Sequence, residues 1–262
     1  MSGTRIEVVS KIDRAREHAN QLKQAVHDFL SPNPFSIVAK EEPSTGDLVH
    51  SVRIREQPPL RLSLILADAV HNLRCSLDHL AWQLVLENGG TPTKRTFFPI
   101  KPDEQTFHAQ APKDLHGVST QTYGLIKAMK PWSGGDDHLW RLHQLDVEDK
   151  HKLLITIGAA HRNVVLTFQP PPFPGNGSPP PAISAAYRVA DRQYPLQDGM
   201  EVGRIMKAAR AASDWLKEPG YTFEIAFRDQ SLMADEPVIP TIPELIDHVE
   251  QACQPLLALL SN

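Results

Sequence analysis

The chain has 262 residues, of which 41% are hydrophobic and 22% charged, a composition typical of a folded globular protein with one or two domains. Its formal net charge of -4 at pH 7 gives no global basic excess of the kind that indicates nonspecific nucleic-acid binding. The two cysteines form neither a disulfide framework nor a zinc-ligand spacing. No apolar run reaches the roughly 18 residues that a membrane span needs, and the N-terminal segment lacks an apolar signal core, so the sequence predicts a cytoplasmic protein with no membrane contact.

The first third of the chain predicts two long helices separated by a hairpin. Apolar residues recur at spacings of three and four over residues 4–30, which indicates an amphipathic helix. Two runs with alternating side chains, 35–40 and 48–55, indicate a β-hairpin. A proline pair then precedes residues 60–88 and a glycine pair follows them, and this uninterrupted apolar-periodic stretch predicts the central helix of the protein.

The middle of the chain predicts a loop followed by two helices. Residues 89–118 are typical of a loop, and a short helix is expected over about 120–129. Asp136 and Asp137 are suited to cap a longer helix that runs to about residue 160.

The last hundred residues change character toward strands. Runs at 163–168, 183–190 and 221–228 have the pattern of strands, whereas residues 201–217 fit a helix or a strand. A final helix is expected to end near residue 260, and its start carries a capping-box pattern formed by Thr241 and Glu244.

These elements together predict an α+β protein, in which an antiparallel helical bundle around helix 60–88 is flanked by an antiparallel β-sheet. The strand runs do not alternate with helices, so a parallel sheet is not expected. The predicted division places a helical bundle with an inserted β-hairpin in residues 1–160. Residues 161–262 then form a β-rich segment whose C-terminal helix packs back on the bundle, and a single domain is the alternative.

Helix 60–88 carries two contrasting faces at about 100° per residue. One face is apolar and is expected to be core: Leu66, Ala69, Val70, Leu73, Leu77, Leu80, Ala81 and Leu84. The other face, within roughly 120°, carries side chains that can bind ligands or transfer protons, together with one aromatic residue: Asp68, His71, Asn72, Cys75, Asp78, His79 and Trp82. The sequence therefore predicts an interior polar face or a functional site on this side.

The helix expected over 136–160 places three ionisable groups, His143, Asp146 and Lys150, on its apolar side. Such groups are costly to bury unless they meet partners. If this helix packs antiparallel to helix 60–88, as a bundle favours, the two polar sets converge. We therefore expect Asp68, His71, His143 and Asp146 to be mostly buried and within reach of one another.

The middle of the central helix resembles the signature of a known family. The run Arg74-Cys75-Ser76-Leu77-Asp78-His79 fits an Arg-x4-His pattern, and it resembles the signature of HEPN domains, which are small helical bundles. Cys75 stands where that family usually has a polar residue, commonly Asn. The segments His71-Asn72-Leu73-Arg74 and Asp149-Lys150-His151 also resemble segments of a group of uncharacterised bacterial proteins. This likeness implies no activity.

The resemblance to HEPN domains implies a metal-independent endoribonuclease or RNA-binding protein, without a cofactor, that dimerises through helix 60–88. In that case His79 is the general acid–base group and Arg74 binds the scissile phosphate, with Asp78 or Asn72 orienting them. Further phosphate contacts are then expected from two basic residues of the helix expected over 136–160, Lys150 and His151.

Two alternatives to this interpretation follow from the same residues. A helical-bundle metal site is one, with four ligands that lie three apart in pairs: Asp68, His71, His143 and Asp146. The other is a noncatalytic interaction or scaffold protein whose polar network is structural, because Asp146 with Lys150, and Arg74 with Asp78, have the spacing of simple ion pairs. Cys75 is expected to be a small packed residue rather than a nucleophile.

Overall fold

The structure, a computed structural model, describes residues 3–151, 157–165, 187–189, 195–207, 220–228, 233 and 236–261. The described helices are α1 (Gly3–Leu30), α2 (Leu60–Glu87), α3 (Glu104–Asp114), α4 (Thr120–Ala128), α5 (Asp137–His151) and α6 (Val238–Leu257). The described strands are β1 (Phe35–Glu41), β2 (Leu48–Ile54), β3 (Ile157–Val165), β4 (Tyr187–Val189), β5 (Glu201–Ile205) and β6 (Gly220–Phe227). The predicted α+β class is confirmed. None of the described helices is both long enough and apolar enough to pass through a bilayer.

The contacts of the chain divide it into two compact units, each made of separate segments of sequence. The helical unit contains residues 1–25, 60–156 and 229–262, and the sheet unit contains residues 26–59 and 157–228. The β1–β2 hairpin therefore groups with the later strands, whereas the sequence pattern predicted that it belongs with residues 1–160. The C-terminal helix groups with the helical unit.

Helix α2 supplies the centre of the helical unit's core. Every residue of its predicted apolar face is at most 2% exposed, so that face is confirmed: Leu66, Ala69, Val70, Leu73, Leu77, Leu80, Ala81 and Leu84. Burying each leucine stabilises the fold by about 1.5 to 3 kcal/mol, so this stripe contributes substantially to the stability of the unit.

Side-chain contacts show that the helices run antiparallel in the pairs they join. Glu7 of α1 meets Gln83 of α2, and Lys11 meets Asn72, so the sequence number rises along one helix as it falls along the other. Helices α5 and α6 are joined in the same sense by two further pairs, Asp136 with His248 and Arg141 with Glu236. The predicted antiparallel bundle around α2 is therefore confirmed for these helices.

The sheet unit contains a four-stranded sheet with the order β1-β2-β5-β4 and a separate two-stranded ribbon of β3 and β6. All pairings between these strands are antiparallel, as predicted. The hairpin is in the register Phe35↔Ile54. Residues 201–205, for which the sequence left helix and strand open, form strand β5, whereas residues 208–217 lie outside the described part of the chain. The predicted strand segments 166–168 and 183–186 also lie outside it.

Two local expectations about helices were wrong. Residues 104–114, expected to be loop, form α3, which begins where Asp103 accepts a hydrogen bond from Thr106 N at 2.6 Å. Pro112 lies inside this helix, and because proline usually interrupts helices, the sequence pattern indicated a loop here. The longer helix ends at His151 rather than near 160, because residues from Ile157 onward pair with β6.

The predicted capping box at the start of the last helix is also wrong. Helix α6 begins at Val238, before Thr241, and its N-cap residue Pro237 has no side-chain cap. The Thr241 hydroxyl lies inside the first turn and donates to Pro237 O at 2.7 Å, which is the backward hydrogen bond that a threonine makes within a helix.

Candidate functional site

Arg74, the predicted phosphate-binding residue, is buried and paired with groups of the protein. Its side chain extends from α2 so that Nη1 lies 2.6 Å from Asp78 Oδ1 and Nη2 donates to Phe98 O at 3.0 Å. Asp78 Oδ1 also accepts from Phe98 N at 2.9 Å. Only 5% of Arg74 is exposed, so the pair anchors the chain segment after α2 instead of facing solvent.

His79, the predicted acid–base group, directly follows Asp78 in α2 and is exposed. It lines a surface cleft of about 280 Å³ whose walls come from α1, α2 and the segment after α2: Glu7, Asp78, His79, Trp82, Gln83 and Thr96. Trp82 is 42% exposed there. The structure therefore separates the two residues of the Arg-x4-His pattern, one in the core and one at the surface.

The polar arc of α2 meets α5 through His71, and this contact includes a cysteine. His71 Nδ1 lies 3.1 Å from Asp146 Oδ1, and Cys75 Sγ lies 3.4 Å from His71 Nε2. Cys75 and His71 are one helical turn apart, so α2 aligns them, whereas the packing of α5 on α2 supplies the aspartate. A thiol, an imidazole and a buried carboxylate therefore form one continuous chain of contacts.

Two lysines lie near this chain of contacts. Lys150 Nζ lies 2.7 Å from Asp146 Oδ2, which is the ion pair that the spacing of these two residues allows. Lys11 of α1 donates to Asn72 Oδ1 at 3.2 Å, three residues before Cys75 in α2. The side chain of His151, the other predicted substrate-binding residue, lies outside the described part of the structure.

The electrostatics of Cys75 favour the neutral thiol in the resting protein. Burial raises the pKa of this thiol most, the carboxylates of Asp78 and Asp146 raise it further, and the positive charges of Lys150 and Lys11 act in the opposite direction. A raised pKa means that the sulfur needs a base beside it to become nucleophilic near neutral pH. His71, at 3.4 Å, is placed to be that base.

The four predicted metal ligands do not come together as a set. His71 and Asp146 are in contact, but Asp68 is exposed, and its backbone carbonyl accepts a hydrogen bond from Asn72 Nδ2. The polar arc of α2 is therefore open to solvent at Asp68, His71 and His79 rather than interior, and the expectation of four mostly buried, mutually reachable groups was wrong.

His143, the fourth of these groups, is half-buried on α5. Burial and the neighbouring Arg74 lower its pKa from 6.5 to about 4, so it is neutral at pH 7. Within the described residues, the group of three metal-binding side chains that lies close enough for one ion is a different one: Asp136, His138 and His248.

The sequence contained one signal for the thiol contact. Histidine and cysteine four apart on a helix are neighbours on its surface, so His71 and Cys75 were readable as a pair. The third member, Asp146, is 75 positions away from His71, and only the packing of α5 against α2 identifies it.

Comparisons with known proteins give no independent assignment: no protein-family model, no curated protein and no solved structure matches this chain. The resemblance of residues 74–79 to HEPN domains therefore stays a prediction.

Proposed function

We propose that Cys75, His71 and Asp146 form a nucleophilic thiol centre, and that the helical unit transfers or hydrolyses the acyl group of small esters or thioesters. The observation that carries this proposal is the pair of contacts Sγ–Nε2 at 3.4 Å and Nδ1–Oδ1 at 3.1 Å. A nucleophile within reach of a base that is itself oriented by a third group is the arrangement shared by enzymes of this chemistry.

The reaction has two stages. His71 Nε2 takes the thiol proton while the sulfur of Cys75 attacks the carbonyl carbon, and collapse of the tetrahedral adduct expels the leaving alkoxide or thiolate, which takes the proton from His71. Water, deprotonated by His71, then attacks the resulting thioester and releases a carboxylic acid and the thiol. Asp146 fixes the orientation of the imidazole and balances the imidazolium that forms in each stage.

Charged groups of both signs act at the Cys75 sulfur. Lys150 and Lys11 exert a positive potential there, and Asp78 and Asp146 exert a negative one. The two ammonium groups are therefore the candidates to stabilise the oxyanion of the tetrahedral adduct.

The test is acylation of the protein by a 4-nitrophenyl ester and by an acyl thioester, followed by peptide mass spectrometry. We expect the acyl group on Cys75, no acylation in Cys75→Ala, and a rate about 10² to 10⁴-fold lower in His71→Gln. Cys253→Ala is the matched control, because this other thiol is buried and should not matter. Equal acylation in wild type and Cys75→Ala would refute the proposal.

RNA binding, with metal-independent cleavage by His79, is the second candidate. The observation that favours it is the open cleft in which His79 lies with the half-exposed indole of Trp82, since aromatic side chains stack on bases. Arg74 does not serve as the phosphate clamp in this version, because its donors are held by Asp78 and Phe98. A homodimer through α2 and a cytoplasmic location belong to this proposal as well.

This second candidate is tested by RNA binding and cleavage with EDTA present. We compare wild type with His79→Ala and Trp82→Ala, and use His108→Ala on α3 as a control for loss of an exposed histidine. Loss of binding in Trp82→Ala and of cleavage in His79→Ala would support it. Wild-type protein that leaves diverse RNAs unbound and intact would exclude it.

A further inference from the structure

The start of α5 and the middle of α6 bring one aspartate and two histidines together. Asp136 Oδ2 lies 2.7 Å from His248 Nε2, and the rings of His138 and His248 are stacked with centroids 4.4 Å apart and planes 20° apart. One ligand atom from each of the three residues lies within 4.8 Å of the others. All three side chains are half-buried, so the cluster is open to small solutes on one side.

We propose that Asp136, His138 and His248 bind one divalent transition-metal ion, with Zn²⁺ as the best fit. Two imidazoles and a carboxylate are a donor set that suits zinc, whose bonds to nitrogen and oxygen are about 2.0 to 2.2 Å long. Ligand atoms at that distance from a tetrahedral ion are about 3.3 Å apart, so only small side-chain movements close the site around it. The site shares no residue with the thiol centre.

The local structure already holds the ligands in the manner of a metal site. Asp136 caps α5, because its Oδ1 accepts from Leu139 N at 3.0 Å, and this leaves Oδ2 directed at His248. Glu244, one turn before His248 on α6, lies 3.3 Å from His138 Nε2. A carboxylate on one ring nitrogen orients a histidine so that the other nitrogen faces a metal.

A bound ion would account for the close approach of the two rings, whose centroids are 4.4 Å apart, because one ion can bind both of them. A metal ion binds both rings in their neutral form and keeps the carboxylate charged. Because its ligands come from two helices, the ion would fasten the start of α5 to α6.

The test uses the full-length protein stripped of metal and titrated with Zn²⁺ by calorimetry, with Co²⁺ absorption reporting the ligand set. We expect one equivalent of Zn²⁺, a higher melting temperature on binding, and visible Co²⁺ bands of a site with nitrogen ligands. His138→Gln and His248→Gln should each weaken binding by about 100-fold or more, since loss of a direct ligand costs at least as much as loss of an outer partner.

The control is His108→Gln, which removes an exposed histidine that is also paired with a carboxylate, Glu104. It should bind Zn²⁺ like wild type. The melting temperature without metal checks that each variant folds. The glutamine in His248→Gln keeps a hydrogen-bond donor for Asp136. If His248→Gln is nevertheless unstable, the Zn²⁺ affinity of the His138→Gln variant is the deciding measurement, because His138 is half-exposed. Wild type without stoichiometric binding, or equal affinity in wild type and His138→Gln, would overturn the proposal.

Discussion

Arg74 and Asp78 hold both hydrogen-bonding groups of a single residue, Phe98. The guanidinium donates to the Phe98 carbonyl at 3.0 Å while the carboxylate accepts from the Phe98 amide at 2.9 Å, and the two side chains are themselves paired at 2.6 Å. Phe98 is completely buried, so this pair fixes a core residue of the segment that follows α2. The Arg-x3-Asp spacing on α2 therefore has a structural use that needs no substrate.

Arg74→Ala is expected to destabilise the protein by about 3 to 5 kcal/mol, because it leaves Asp78 without its cation and the Phe98 carbonyl without a donor. Urea unfolding measures the change. Arg14→Ala is the control, since Arg14 forms an exposed pair with Glu17 and its loss should cost less than about 1 kcal/mol. If Arg74→Ala unfolds within about 1 kcal/mol of wild type, the anchoring role is incorrect.

The two cysteines are expected to differ in their reaction with iodoacetamide. Burial raises the pKa of Cys75, so its alkylation at pH 8 depends on proton removal by His71 and should be slower in His71→Gln than in wild type. Burial raises the pKa of Cys253 to about 12, and none of this residue is exposed, so it should react only in denaturant. Mass spectrometry of labelled peptides over time measures both, and equal labelling of Cys75 in wild type and His71→Gln would contradict the first expectation.

His143 is expected to make the protein less stable in acid. Its pKa is lowered from 6.5 to about 4 in the folded state, so below pH 6.5 the unfolded chain takes up a proton that the folded chain refuses. The stability it contributes is present above pH 6.5 and is lost as the pH falls toward 4. Urea unfolding at pH 7 and at pH 4.5 should show a smaller loss in His143→Gln than in wild type, by about 1 to 2 kcal/mol after allowance for partial exposure. The exposed His108→Gln should lose as much as wild type.

Asp114→Ala is expected to be strongly destabilising. Asp114 Oδ2 lies 2.6 Å from Lys101 Nζ, and both side chains are about a tenth exposed. Removal of the aspartate leaves a buried ammonium without its partner, at a cost of about 3 to 5 kcal/mol. Thermal and urea unfolding measure it against Asp13→Ala, whose aspartate is 61% exposed beside Arg16 and should change stability by less than about 1 kcal/mol. Similar stabilities for the two variants would show that the buried pair is not important.

Local periodicity was sufficient to predict most of the helices and the hairpin. The apolar stripe of α2, the β1–β2 hairpin and the ion pairs four apart, Arg74–Asp78 and Asp146–Lys150, all involve neighbours within one element or one turn. Such neighbours are fixed by the 3.6-residue helical repeat or the two-residue strand repeat, which any sequence displays directly.

What only the tertiary structure decided is which of these groups are buried and which distant groups meet. Arg74 is buried and His79 exposed although both lie outside the apolar face of the same helix, because the segment around Phe98 covers one and not the other. Asp146 reaches His71, and His248 reaches Asp136, across 75 and 112 positions of sequence. Those contacts depend on how each helix is rotated and shifted against its neighbour, and that choice is made by packing of the whole core rather than by any local pattern.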